Sequence, residues 1–256
     1  MSANDRPRDR GVVLITGASR GIGAATARLA AKRGYDVAVN YVSNEAAAKK
    51  VVGEVEAAGR RAIAVKADGA READILAMFA AVDEKLGRIT GLVNNAGIFA
   101  KTGRVEDVAA ETVKAVLDLN VLGALLCARE AVKRMSTKRG GMGGVIVNVS
   151  SGAATRGSPN SYVWYAASKA ALDAITLGLG LEVAGEGIRV VGMAAGVTET
   201  DIHTAAGGTG RLAQMAKMVP LGRVAQPDEM AEAILWLMSD AARYVTATTL
   251  RAGGGL

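Results

Sequence analysis

Tyr165 and Lys169 stand four residues apart and are the pair in this sequence best suited to moving a proton. On a helix, residues i and i+4 stack on one face. An ammonium beside a phenol favours the phenolate, so the tyrosine pKa, about 10 for a free side chain, is expected to fall. A phenol tuned this way exchanges protons near neutral pH. The pair follows a run that ends in hydroxyls, Asn148-Val149-Ser150-Ser151. Far upstream, an apolar run closes on Thr16-Gly17-Ala18-Ser19-Arg20-Gly21-Ile22-Gly23, and an Ala-rich helical pattern follows at once. A helix N-terminus presents bare N–H groups and a partial positive charge, which suit a pyrophosphate. Glycines let the chain turn and let the phosphates come close. The spacing is Gly-x-x-x-Gly-x-Gly and departs from G-x-G-x-x-G.

Strand and helix patterns alternate along the chain. Strands are expected at 12–16, 36–41, 61–67, 89–94, 145–149, 188–193 and 244–250, and helices at 24–33, 45–58, 72–86, 105–138, 161–183 and 227–239. The strands are apolar without alternation, as for strands buried on both faces. Right-handed crossovers then give one α/β domain, a doubly wound parallel sheet of about seven strands with helices on both faces. Residues 1–10, with Arg6, Arg8 and Arg10, read as a flexible tail, and 11–256 as the domain. The stretch 198–220 lacks strand character and contains Gly207-Gly208-Thr209-Gly210, which makes it a candidate substrate lid.

Ligands of such sheets collect at the carboxyl ends of the strands. The second strand ends at Asn40 with no acid before Glu45, where a carboxylate would accept the ribose 2′-hydroxyl of NAD. Arg20 lies in the glycine loop and can pair with a 2′-phosphate. NADP(H) is therefore favoured, with NAD(H) as the alternative. Asp68 ends the third strand and can bond an adenine amino group. The fourth ends Asn94-Asn95-Ala96-Gly97, small and amide-bearing, suited to a cofactor or to turn chemistry.

The remaining composition narrows the classes. The net charge of +6 has no aromatic-interleaved basic face, so no nucleic-acid partner is expected. One cysteine, Cys127, excludes an internal disulfide, and with one histidine, His203, leaves no metal site. No apolar run approaches the roughly 20 residues of a membrane span. The charged N-terminus has no signal-like apolar segment, so a cytoplasmic location is expected.

Taken together, these ordered motifs resemble the short-chain dehydrogenase/reductase family, the compact single-domain type with a Rossmann fold. The resemblance covers 11–255 and includes Asn120 in Asp118-Leu119-Asn120-Val121, the trio Ser151, Tyr165 and Lys169, and the segments 221–227 and 244–254. The segment 157–169 is similar to members labelled sugar dehydrogenases or oxoacyl-carrier reductases. The resemblance implies hydride transfer between NADP(H) and a carbonyl or secondary alcohol. Tyr165 is then the acid/base, Lys169 tunes it and holds the nicotinamide ribose, Ser151 binds the substrate oxygen, and Asn120 holds a relay water. Ser150 and Gly152 are rival alignments for the serine. Gly17, Ser19, Arg20, Gly21, Ile22, Gly23, Asn40, Asp68, Asn94, Ala96, Gly97, Val197 and Thr200 are expected at the cofactor. A homotetramer, a dimer of dimers, is implied through the helices around 105–138 and 161–183 and the last strand. Three departures stand out: Ala195 where the family has proline, one extra residue between Ser151 and Tyr165, and Ala247 and Arg251 where relatives carry Gly and Asp. Ala153, Ala154, Tyr162, Trp164 and His203 are candidate substrate contacts. The rival readings are a non-catalytic dinucleotide-binding regulator or redox sensor, which would dispense with the Tyr165–Lys169 pair, and an epimerase or dehydratase, which needs a longer chain.

Overall fold

A computed structural model describes residues 9–200 and 209–256, with side chains from 212 onward in the second segment. Seven parallel strands form one sheet in the order β3-β2-β1-β4-β5-β6-β7. They are β1 (Val12–Ile15), β2 (Asp36–Tyr41), β3 (Ala62–Lys66), β4 (Ile89–Asn94), β5 (Gly144–Ser151), β6 (Ile188–Ala195) and β7 (Thr248–Ala252). The order reverses between β1 and β4, which opens a crevice at their carboxyl ends.

The helices are α1 (Gly21–Lys32), α2 (Glu45–Ala57), α3 (Glu72–Lys85), α4 (Ala110–Leu117), α5 (Ala124–Met135), α6 (Ala153–Arg156), α7 (Val163–Val183), α8 (Thr209–Ala216) and α9 (Pro227–Met238). Side chains alternate along each strand, so the sheet feeds two cores. Val13, Ile15, Val37 and Val147 pack under α1, α2 and α9. Val12, Leu14, Leu92 and Ile146 pack under α3, α5 and α7. This is why the central strands carry apolar residues on both faces.

Three expectations are corrected. The helix expected over 105–138 is interrupted. A 3-10 turn (Val105–Asp107), α4, a π-turn (Asp118–Gly123) and α5 follow one another there. At the end of the π-turn the chain passes close to another segment: a β-carbon on Gly123 would run into the Gly69 carbonyl oxygen. The last strand begins at Thr248, not 244, because Ala247 adopts a left-handed φ of 54° just before it and donates its N–H to the Val190 carbonyl. Helices α6 and α8 fall where only loops were expected. Ala195 ends β6 paired on both sides, with Ser151 of β5 and Ala252 of β7. The two ladders fix the backbone that a proline ring would otherwise restrain. His203 and residues 1–8 lie outside the described residues, as do 201–208 of the expected lid.

Substitutions test both backbone constraints. Gly123→Ala is expected to lower the unfolding free energy by about 1–3 kcal/mol, since the methyl overpacks against backbone. Ala247→Gly is expected to raise it by about 1 kcal/mol, since only the alanine resists its left-handed φ. Urea denaturation followed by circular dichroism reads both signs.

Candidate active site

The crevice holds a cavity of about 470 Å³ that runs from the glycine loop to Tyr165. At one end the chain leaves β1, turns at Gly17 (φ 63°) and Gly21 (φ 55°), and enters α1. Arg20 at the N-cap is extended and makes no side-chain cap, so the first turn of α1 faces the cavity uncapped. A β-carbon on Gly23 would stand 2.6 Å from both Asn95 Nδ2 and the Gly17 carbonyl oxygen, so only glycine lets loop and β4 close on each other. Asn95 Nδ2 donates to the Thr16 and Gly17 carbonyls at 2.8 and 3.2 Å. This is a rigid cradle of backbone N–H groups, and it fits the pyrophosphate of a dinucleotide.

At the other end, α7 brings Tyr165 and Lys169 onto the cavity wall one helical turn apart. Lys169 is 4% exposed, and its Nζ donates to the Val149 carbonyl at 2.7 Å and sits 5.7 Å from the centre of the Tyr165 ring. The Ser151 hydroxyl stands beside the Tyr165 phenol and accepts the Ala153 N–H at 3.1 Å. Ser150 points instead into the interior, donating to the Lys169 carbonyl at 3.4 Å, and Gly152 has no side chain to offer.

The direction of the tyrosine shift is a correction. Burial pushes the Tyr165 phenol up to about 12, and the Ser151 hydroxyl lowers it only in part. Burial also pulls Lys169 down to about 8, and its Nζ donates to the Val149 carbonyl. The Cys127 thiol is buried and pushed up to about 12, so it is an inert core group.

Asn120 owes its position to the π-turn, a feature that recurs at functional sites. Its Oδ1 accepts the Ile98 N–H at 2.9 Å, while Nδ2 donates to the Ile98 carbonyl at 2.8 Å and to Ser168 Oγ at 3.0 Å. Ser168 Oγ in turn donates to the Tyr165 carbonyl at 2.7 Å. A β-carbon on Gly97 would stand 3.2 Å from Asn120 Oδ1 and 3.4 Å from Lys169 Nζ, so glycine leaves the room that both occupy.

Most expected cofactor residues meet at this cavity, namely Gly17, Ser19, Arg20, Gly21, Ile22, Ala96, Gly97, Val197 and Thr200. Thr200 closes the ring: its Cγ2 would lie 3.3 Å from a β-carbon on Gly21. Asn40, Asp68 and Asn94 do not line it, and Gly23 lies behind the loop. Asn40 Oδ1 accepts the Gly17 N–H at 3.0 Å, and its Nδ2 donates to the Ala67 carbonyl at 3.0 Å, so it fastens the loop from beneath. Asp68 accepts the Ala70 N–H at 2.9 Å. Asn94 donates to Asn148 and to the Ala124 carbonyl, both at 3.0 Å. Among the candidate substrate contacts, Tyr162 and Ala153 line the cavity, while Trp164 is buried and donates to the Phe99 carbonyl at 3.0 Å. Phe99 and Arg156 also line it, and sequence reasoning missed both. Phe99 lies just beyond the fourth-strand motif, which was the only signal available for it.

Comparison with known proteins gives one answer. The family model described as enoyl-(acyl carrier protein) reductase matches residues 17–256. The uncharacterised oxidoreductase YgfF of Escherichia coli K12 is 48% identical over 95% of this chain and 99% of its own. A 3-oxoacyl-[acyl-carrier-protein] reductase of Synechocystis is 37% identical over 96% of each. The crystal structure of a 3-ketoacyl-(acyl-carrier-protein) reductase of Brucella melitensis, complexed with NADH, superposes with a TM-score of 0.88 at 35% identity, covering 96% of this chain and 98% of that one. A short-chain dehydrogenase of Burkholderia cenocepacia in complex with NADP gives 0.88 at 34% identity, with the same coverage. The glycine cradle and the Ser151–Tyr165–Lys169 cluster are thus set in a chain that is an oxidoreductase and belongs to the short-chain dehydrogenase/reductase family.

Proposed function

We propose that the protein interconverts a carbonyl compound and a secondary alcohol with NADP(H), using Tyr165 as the general acid and base. The observation that carries this reading is that Ser151, Tyr165 and Lys169 line one end of the cavity that begins in the glycine cradle. A bound nicotinamide supplies or accepts the hydride. In reduction, Ser151 donates to the substrate oxygen and Tyr165 gives it a proton; in oxidation both transfers reverse. A phenol near pKa 12 holds its proton at neutral pH, as an acid must. The Lys169 ammonium offsets the charge of the phenolate that remains. Asn120 has one uncommitted lone pair on Oδ1, and this reading gives it the relay water. A regulator that only bound a dinucleotide would have no use for the Ser151–Tyr165 contact.

The cofactor choice rests on the carboxyl end of β2. Arg20, Val42, Ser43 and Asn44 line that part of the cavity and no acid does, among the described residues. Arg20 is assigned to a 2′-phosphate, Val197 and Thr200 to the nicotinamide amide and the pyrophosphate. Solved relatives hold NADH in one case and NADP in another. Self-association through α5 and α7 belongs to the same reading, with Leu125, Leu177 and Leu181 exposed along those helices. A cytoplasmic location goes with it.

Three measurements test the reading. Tyr165→Phe should cut NADPH-dependent reduction across a panel of ketones by about 100-fold or more while leaving NADPH affinity close to wild type. Turnover near wild type would remove the role given to Tyr165. Arg20→Ala should weaken NADPH binding by about tenfold and NADH binding little, as read by titration of nicotinamide fluorescence. Because burial holds Lys169 near pKa 8, its charge is present below that pH and lost above it. NADPH affinity should therefore fall as pH rises through about 8, and Lys169→Met should flatten that fall.

A further inference from the structure

Three cations line the cavity, Arg20, Lys169 and Arg156, and no carboxylate does, among the described residues. The first two have work in the reading above. Arg156 has none. It closes the short helix α6, at the end of the cavity that holds Ser151 and Tyr165. Its guanidinium lies back over Gly152: a β-carbon there would stand 3.2 Å from Nη2 and 3.5 Å from Cζ. Glycine at 152 therefore leaves the space in which the guanidinium sits, one residue beyond the serine. No acid forms an ion pair with Arg156 among the described residues, although most arginines on this surface have one. The guanidinium of Arg251 adds positive charge nearby, with its Nη2 donating to Thr155 Oγ1 at 2.6 Å.

The same end of the cavity carries an aromatic cluster, packed with Ala153 of α6. Phe99 and Tyr162 stack with ring centres 5.1 Å apart, and Tyr165 meets both edge-on at 5.8 and 5.5 Å. The reacting oxygen would lie between an apolar wall and a fork of N–H donors. A guanidinium binds a carboxylate through two parallel bonds, an arrangement a neutral group cannot match.

We propose that Arg156 is a specificity-determining residue that receives a carboxylate carried on the substrate, so that the enzyme acts on keto acids or hydroxy acids with a hydrocarbon body. The proposal rests on the carbonyl–alcohol reading of the site. It goes further in naming the substrate class and the residue that selects it.

The test separates binding from turnover. Isothermal titration of 4-phenylbutanoate and 4-phenylbutanamide onto the protein, with and without NADP⁺, reads recognition without reaction. The acid should bind about tenfold tighter or more. Arg156→Met should abolish that preference while leaving NADPH affinity unchanged, and Arg156→Lys should retain part of it. Circular dichroism checks that both variants are folded, as expected for an exposed side chain. Reduction of 4-oxo-4-phenylbutanoate and of its methyl ester should show the same preference in kcat/KM, lost in Arg156→Met. An acid-to-amide ratio near one, a ratio unchanged in Arg156→Met, or weakened NADPH binding in that variant each overturns the proposal. Selective binding of the acid with neither ketone reduced supports the carboxylate site and removes the activity proposed above. Equal reduction of acid and ester keeps that activity and removes the carboxylate site.

Discussion

A chain of buried amides and a hydroxyl sets the position of everything at the site. Asn94 Nδ2 donates to Asn148 Oδ1 at 3.0 Å, Asn148 Nδ2 to Thr176 Oγ1 at 2.9 Å, and Thr176 Oγ1 to the Leu172 carbonyl at 2.8 Å. None of the three side chains is more than 4% exposed. An unsatisfied polar group at that depth costs about 1–3 kcal/mol, so the chain tolerates one arrangement only. A one-residue slip of β5 against β4 would turn Asn148 to the other face of the sheet and break both of its bonds. A rotation of α7 would take Thr176 out of reach. Tyr165 and Lys169 ride on α7, so locking the register and the helix together locks their place on the cavity wall. The bond from Lys169 Nζ to the Val149 carbonyl ties the same helix to the same strand a second time, at the cavity wall.

The distribution of ring side chains follows the same division between scaffold and site. Aromatics make up 4% of the chain. The two sheet-facing cores are filled almost wholly by Val, Ile, Leu, Ala and Met. Phe99, Tyr162, Trp164 and Tyr165 instead gather in one small cluster beside the cavity. Small aliphatic residues let helices pack closely on a twisted sheet. Large rings are placed where a flat, stiff wall is needed and where a phenol has to be held at a fixed angle. The positive φ of Gly17 and Gly21 and the tight approach at Gly23 serve the opposite end in the same way, by removing side chains where N–H groups must be bare.

Local pattern was enough for the central strands, because a parallel strand buried on both faces is mostly apolar and needs no partner to be recognised; the exposed last strand, by contrast, was started four residues early. It was also enough for the glycine cradle and for Tyr165 and Lys169, whose contact is written in a spacing of four. It failed where tertiary contacts decide. Residues 105–138 have helical composition from end to end, and the π-turn within them goes with two distant contacts, Gly123 against the Gly69 backbone and Asn120 on Ile98. Neither partner is near in sequence. Asn40 has the right address, at the end of β2, but its amide is spent under the loop, not in the cavity. The raised phenol pKa was out of reach for a related reason. The spacing of Tyr165 and Lys169 gives their proximity, but burial and the Val149 carbonyl decide what that proximity does.

Those electrostatics explain why the pair is built as it is. Burial opposes both charged forms, the phenolate and the ammonium, and moves their pKa values toward neutral species. What reverses the balance is negative charge brought into a cavity lined by Arg20, Arg156 and Lys169 and by no acid among the described residues. Anionic groups there stabilise the Lys169 ammonium, which burial leaves close to its titration point.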